Sequence, residues 1–228
     1  LVIAIDGPAG SGKSTVAREV GKILGIQYLD SGALYRALTF ALYSEYCRSE
    51  SPETFPDWLE KERNRDLSLY QIRLEFMPEG KPNQIFLNGS NITQEIRTPE
   101  ITEQIRYVAN QERYRKFVND RIRKLAETHE LVLDGRDIGT EVFPDAPYKF
   151  FLTASPEERA RRRTLELRNQ GMAVDPEEVL RDMISRDESD RNRKIAPLVQ
   201  AKDAILVDTD ALSLKVVIET ILSEIEKG

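Results

Sequence analysis

The sequence predicts an α/β protein built on a five-stranded parallel sheet with helices on both faces. Three observations carry that prediction. Five short apolar runs, at residues 1–5, 26–30, 131–134, 148–152 and 204–208, alternate with stretches of helical spacing. Each run is predominantly apolar, the pattern of a strand covered on both sides. Acids and glycine turns fall at the carboxyl ends, as Asp6-Gly7, Asp30-Ser31-Gly32 and Asp134-Gly135-Arg136-Asp137, where parallel sheets gather their active groups.

The first run leads into Gly7-Pro8-Ala9-Gly10-Ser11-Gly12-Lys13-Ser14-Thr15 and then into the helix-favouring residues 16–20. This is G-x-x-x-x-G-K-[ST] with a strand before it and a helix after it, the context a phosphate loop needs. The glycines let backbone N–H groups turn inward around phosphate oxygens, and the helix adds its positive N-terminal end. Lys13 supplies a charge at the β- and γ-phosphates, and the Ser14 hydroxyl is a ligand for Mg²⁺. The stretch predicts a nucleoside triphosphate site.

Gly25 stops the first helix, a second strand ends at Asp30, and residues 33–43 read as helix. Residues 49–66 are polar and proline-containing, and read as loop with one helical turn at most. The period then changes. Leu74 and Phe76 alternate with Arg73 and Glu75, a turn is expected at Pro78-Glu79-Gly80, and residues 85–87 run to Asn88-Gly89. Period-two spacing with hairpin signals predicts a small antiparallel insert at about 66–92. Thr98-Pro99-Glu100 is a helix start, and two helical stretches follow at about 99–110 and 112–127. After the third and fourth strands, Ser155-Pro156-Glu157-Glu158 opens a helix that stops near Gly171, and Asp175-Pro176 opens the next. Ser213 caps a last helix with an apolar stripe of Leu214, Val217, Ile218, Ile221, Leu222 and Ile225, read as a core face.

Composition narrows the function classes. With 39 acidic against 33 basic residues in 228, the net charge of −6 argues against general affinity for nucleic acid or anionic lipid. An anion site must therefore be a local cluster of Arg and Lys. Cys47 stands alone, which excludes an internal disulfide, suits a reducing cytoplasm, and reads as a small apolar filler on a helix. His129 is the sole histidine, in an exposed-looking turn, so imidazole catalysis and histidine metal sites are not expected. No run approaches a membrane span. The chain opens at Leu1 without a methionine, so a few native residues are expected to precede it.

Arginine placement discriminates further. A switch GTPase needs a guanine-reading N-K-x-D segment, and the fifth strand is followed instead by Asp208-Thr209-Asp210-Ala211. Single arginines stand after strands, at Arg36 and Arg136, and dense groups lie at 159–163 and 186–193. Pairing of a solvated helix face with Glu157 and Glu158 would use some of the first group, but four arginines in five residues exceed it. Arginines gathered on one cleft suit transfer between two phosphorylated molecules, whose mutual repulsion must be neutralised.

Four segments carry a resemblance: Asp30-Ser31-Gly32-Ala33-Leu34-Tyr35-Arg36, Ile96-Arg97-Thr98, Asp134-Gly135-Arg136-Asp137-Ile138-Gly139-Thr140, and Arg186-Asp187-Glu188-Ser189-Asp190-Arg191-Asn192-Arg193. In order and spacing they resemble the bacterial cytidylate (CMP) kinases, nucleoside monophosphate kinases of the P-loop class. The resemblance implies a core at 1–30, 99–155 and 173–228, an NMP-binding region at 31–98 that includes the β insert, and a short helical lid at 156–172. It implies that residues Gly7 to Thr15 hold ATP, with Lys13 on the transferred group, Ser14 on Mg²⁺ and Arg162 closing over ATP from the lid. Ser31, Arg36, Arg136 and Arg193 would hold the CMP phosphate, Arg115 and Asp137 would read cytosine, and Arg186 with Asp190 the sugar. Tyr35 joins the CMP-binding set, with packing its more ordinary role. Lys13, Arg136, Arg162 and Arg193 would neutralise charge during transfer. Where the family usually has a base-contacting serine, this sequence has Arg106, which leaves strictness against UMP open.

The expected reaction is ATP + CMP (or dCMP) giving ADP + CDP (or dCDP), with Mg²⁺, by in-line transfer in a cytoplasmic monomer. Lid and insert are expected to close over both substrates and exclude water. The alternatives are another small P-loop kinase acting on UMP, dTMP or a metabolite hydroxyl, and a nucleotide-gated switch protein. Neither nucleic acid nor membrane is expected as a partner.

Overall fold

β1 (Val2–Asp6) runs through the glycine-rich loop into α1 (Lys13–Leu24), and β2 (Gln27–Asp30) follows. Next come α2 (Ser31–Arg48), α3 (Phe55–Lys61), the strands β3 (Ile72–Glu75), β4 (Gln84–Leu87) and β5 (Ser90–Asn91), and the helices α4 (Pro99–Ala109) and α5 (Glu112–Ala126). The chain continues with β6 (Leu131–Gly135), a π-helical turn at Ile138–Val142, β7 (Tyr148–Thr153), α6 (Pro156–Asn169), α7 (Pro176–Arg191), β8 (Ile205–Asp208) and α8 (Leu214–Lys227). These elements come from a computed structural model that describes residues 1–78, 81–169 and 171–227. By packing the chain divides into two units, Leu1–Leu29 with Ala126–Gly228, and Asp30–Leu125. Helices α4 and α5, assigned to the core from sequence, group with Asp30–Leu125 by this measure.

The first unit is organised by a five-stranded sheet in the order β2-β6-β1-β7-β8. β1 lies in the middle, parallel to β6 from Val2↔Leu131 to Asp6↔Gly135 and to β7 from Ile3↔Tyr148 to Asp6↔Phe151. Its apolar side chains pack with α1 and α8 in one core that includes Ile5, Val16, Val20, Phe150, Val217 and Ile221. Gly25, in the left-handed region, ends α1 and donates its N–H to the carbonyl of Lys22.

The second unit holds the antiparallel sheet β3-β4-β5, with β3 and β4 paired from Ile72↔Leu87 to Glu75↔Gln84. α2 packs against α4 and on β3 and β4. Asp30 caps α2 by accepting the Ala33 N–H at 3.2 Å, and Thr98 caps α4 through the Ile101 N–H at 3.3 Å. Glu45 joins the segment that follows α3 to α2, bonding the Tyr70 hydroxyl at 2.9 Å and the Arg65 guanidinium.

Several expectations from sequence change. Residues 49–66 contain α3, a helix of nearly two turns, because Thr54 accepts the Asp57 N–H and Pro56 occupies the first turn. Cys47 is exposed, not a buried filler, because the buried residues of α2 end at Leu42, more than a turn before it. Leu214 is exposed too: the buried face of α8 begins at Val217. The fifth strand is not covered on both sides, since Ile205 and Leu206 stand exposed on β8 at the sheet edge. The turn expected at Pro78-Glu79-Gly80 falls partly on residues 79 and 80, outside the described residues.

Candidate active site

The glycine-rich loop is shaped by what touches its outside. Gly7 has φ 146°, and a Cβ there would run into the carbonyl oxygen of Leu152 on β7, so no other residue fits. The Ser11 hydroxyl donates to the Pro8 carbonyl at 3.1 Å, closing the loop internally. Gly12, at φ 89°, leads into α1, which has no side-chain cap and no acid in its first turn. That N-terminus keeps its positive end for an anion.

Lys13 is almost fully buried, and its ammonium donates to the Pro8 carbonyl at 2.6 Å. Burial first, then the Arg136 guanidinium, push its pKa well below the usual lysine range, while Asp134 and Asp6 oppose and Arg186 adds to the push. An anionic ligand here would reverse that push. Ser14, Tyr28 and Asp134 form a second cluster. The Ser14 hydroxyl donates to one oxygen of Asp134 at 2.6 Å, and the Tyr28 hydroxyl donates to the other at 2.8 Å.

Asp6 anchors the loop that follows β6. Its carboxylate accepts the N–H groups of Ile138 at 2.9 Å and Gly139 at 2.7 Å. Burial nevertheless pushes its pKa up to about 6; the two backbone bonds pull down and Asp137 adds to the rise. Asp137 itself is buried. Arg136 reaches Asp190 of α7 through Nε at 3.0 Å and the Gly135 carbonyl through Nη1 at 3.3 Å. Arg193 donates to the Ala196 carbonyl at 2.8 Å.

The arginines of α6 separate by face. Arg161 and Arg163 are exposed and pair with Glu158 and Glu166, so surface pairing accounts for them. Glu158 bonds both Arg161 and Arg162, which hold its carboxyl down to about 2. Arg162 is half-buried and donates to the hydroxyl of Thr209 at 2.9 Å and to its carbonyl at 2.6 Å. Arg159 turns into the protein.

The predicted residues of the second unit lie on α2 and α5. Ser31 is buried at the start of α2. Arg36 pairs at 2.6 Å with Asp30, the residue that caps the start of α2. Tyr35 is buried, donates to Asn119 at 2.9 Å, and has the guanidinium of Arg115 5.4 Å from its ring centre. Arg115 is buried and donates to the Ala109 carbonyl at 3.2 Å. Arg106, by contrast, is exposed, with its guanidinium on the Tyr107 ring and hydroxyl.

Sequence places Asp6 among the strand-end acids and Arg159 in the dense arginine group, but assigns neither a role, because the partners of both lie far along the chain. Tyr28 reads from sequence only as part of a strand, and nothing near it indicates Asp134. Among the described residues no group of three or more His, Cys, Asp or Glu is placed to hold a metal, and no helix is long and apolar enough to cross a membrane.

Comparison with known proteins bears on this arrangement. A cytidylate kinase from Caldanaerobacter subterraneus is 44% identical over 226 residues, covering 99% of this chain and 95% of that protein. One from Shouchella clausii is 45% identical over 225 residues, covering 99% and 96%. A crystal structure of an uncharacterized protein from Eubacterium ventriosum shares the fold at a TM-score of 0.53 and 15% identity, covering 100% of this chain and 99% of that one. The family model for cytidylate kinase matches residues 3–227. From the loop that opens on Gly7 to the last helix, this chain belongs to the cytidylate kinase family.

Proposed function

We propose that the protein transfers the γ-phosphoryl group of ATP to CMP and dCMP, giving ADP and CDP or dCDP. The observation that carries the reading is the buried Lys13 in a phosphate loop, with Arg136 and Arg186 close enough to depress its pKa, in a chain of this family. A group of arginines beside the loop's lysine suits an acceptor that is also a phosphate.

Residues Gly7 to Thr15 take the ATP phosphates, with Lys13 on the group in transit. Arg162 serves the donor from α6, within the segment 156–172 that we assign as the lid. Arg136 and Arg193 are assigned to the CMP phosphate, as are Ser31 and Arg36 from the region 31–98. Arg186 and Asp190 are assigned to the sugar, Asp137 and Arg115 to the base, and Tyr35 supports Arg115. A carboxylate suits cytosine, whose N4 amine donates; uracil would oppose a carbonyl to it. The acceptor phosphate is already nucleophilic, so positioning and charge neutralisation suffice without a general base.

The donor chemistry around Ser14 fits Mg²⁺. A hydroxyl and one carboxylate, both hard oxygen donors 2.6 Å apart, match an ion that takes few protein ligands and fills its shell with phosphate oxygens and water. Ser14 would bind it and Asp134 would orient its shell; the ion would supply charge at the β- and γ-phosphates. The proposed working unit is one chain, in the cytoplasm.

A panel of acceptors with ADP release as the readout tests the proposal. CMP and dCMP should stimulate release most. Preference for UMP, dTMP or a metabolite hydroxyl would replace the substrate, and no stimulation by any nucleoside monophosphate would favour a nucleotide switch.

A further inference from the structure

We propose that Arg159 and Asp187 are a positioning pair that sets the phosphate loop's shape from outside the site. The inference rests on reading that loop as the ATP site. Arg159 is 1% exposed, the largest of the fully buried side chains. Its guanidinium joins three elements: Nε donates to the Ala154 carbonyl after β7 at 3.0 Å, Nη1 donates to the Ala9 carbonyl in the loop at 2.9 Å, and Nη1 also lies 2.6 Å from Asp187 Oδ2 on α7.

The bond to Ala9 has a geometric consequence. In a trans peptide the carbonyl and the following N–H lie in one plane and point in opposite directions within it. Drawing the Ala9 oxygen outward onto Arg159 therefore turns the Gly10 N–H the other way, toward the side the loop encloses. A glycine-rich loop has little preference of its own for that orientation. Packing holds the same plane: a Cβ on Gly10 would fall 2.6 Å from Met183 Cε and 3.2 Å from Arg159 Cβ, so the loop lies flat against α6 and α7. Ala9 packs on the apolar cluster of Ala160, Val179 and Met183 beneath it.

Asp187 fits a role in aiming rather than in stability. It is buried, and its second oxygen, Oδ1, has no hydrogen-bond partner among the described residues. An apolar pair of similar volume is often as stable as a buried ion pair. What the acid adds is a fixed direction for the guanidinium that reaches Ala9.

Three variants separate aiming from folding: Arg159→Lys, Asp187→Asn, and the double change Arg159→Met with Asp187→Leu, which leaves no buried charge unpaired. Melting temperature, direct titration with ATP and with CMP, and KM against kcat are read for each. All three should weaken ATP binding by about tenfold to a hundredfold, the effect of losing a charged hydrogen bond. CMP binding should stay within about twofold. The double variant should melt near the wild type and still bind ATP weakly. Wild-type ATP affinity in a folded double variant, or single variants that lose melting temperature alone, would overturn the pair's role. If the wild type itself does not bind ATP, the reading of the loop fails instead.

Discussion

The Ser14 hydroxyl donates to Asp134 at 2.6 Å across 120 residues of sequence, joining the first turn of α1 to the end of β6. Tyr28 holds the other carboxylate oxygen at 2.8 Å, so the acid cannot rotate freely. Asp134→Asn should raise the Mg²⁺ concentration for half-maximal rate by about 10- to 100-fold, as loss of an orienting partner does elsewhere. Calorimetry of ATP binding across a Mg²⁺ series should move in parallel. An unchanged metal dependence would remove Asp134 from this role.

Lys13 stands in a field set by burial and Arg136, and it is the charge assigned to the group in transit. Lys13→Ala should lower kcat by about a thousandfold or more while CMP still binds. Titration of the variant with CMP checks this, and loss of CMP binding would show that donor and acceptor residues are misassigned.

Asp137 is a buried acid assigned to the cytosine amine. Asp137→Asn presents an amide that can donate to a uracil carbonyl. The preference of kcat/KM for CMP over UMP should fall by about 10- to 100-fold, equivalent to about 1–3 kcal/mol. A preference left intact would point to another specificity element in this chain.

Asp6 predicts a pH effect on stability. Its carboxyl titrates at about 6 in the fold against an ordinary 3.8, with burial the main cause. A raised value means the folded state holds the proton more tightly, so this contribution is full below pH 3.8 and lost as pH rises through about 6. The size is about 3 kcal/mol at ~1.4 kcal/mol per pH unit. Urea melts of the wild type should therefore lose more stability between pH 4 and 7 than those of Asp6→Asn. Parallel curves would exclude Asp6 as the titrating group.

What was legible in the sequence was local in the chain. The phosphate loop announces itself because its glycines, Lys13 and Ser14 lie within a few residues, and Thr98-Pro99 or Asp175-Pro176 spell their helix starts on the spot. Bonds between distant segments left no such trace: nothing near Asp6 indicates Ile138 and Gly139, and nothing near Arg159 indicates Ala9. Composition also hid the division of labour in residues 159–163, where one arginine is buried, one half-buried and two are surface pairs. Leu214 and Cys47 fail for a related reason, since helical spacing assigns a face but not where burial on that face starts.

The central position of β1 bears on how the protein is made. Its two neighbours, β6 and β7, are translated long after it, as the pairings Val2↔Leu131 and Ile3↔Tyr148 require. During synthesis the strand that carries the phosphate loop therefore waits without its partners, a long-range closure of the kind that slows folding and exposes apolar surface to chaperones. The earliest piece of the site to leave the ribosome has no strand to pair with until β6 and β7 have followed it.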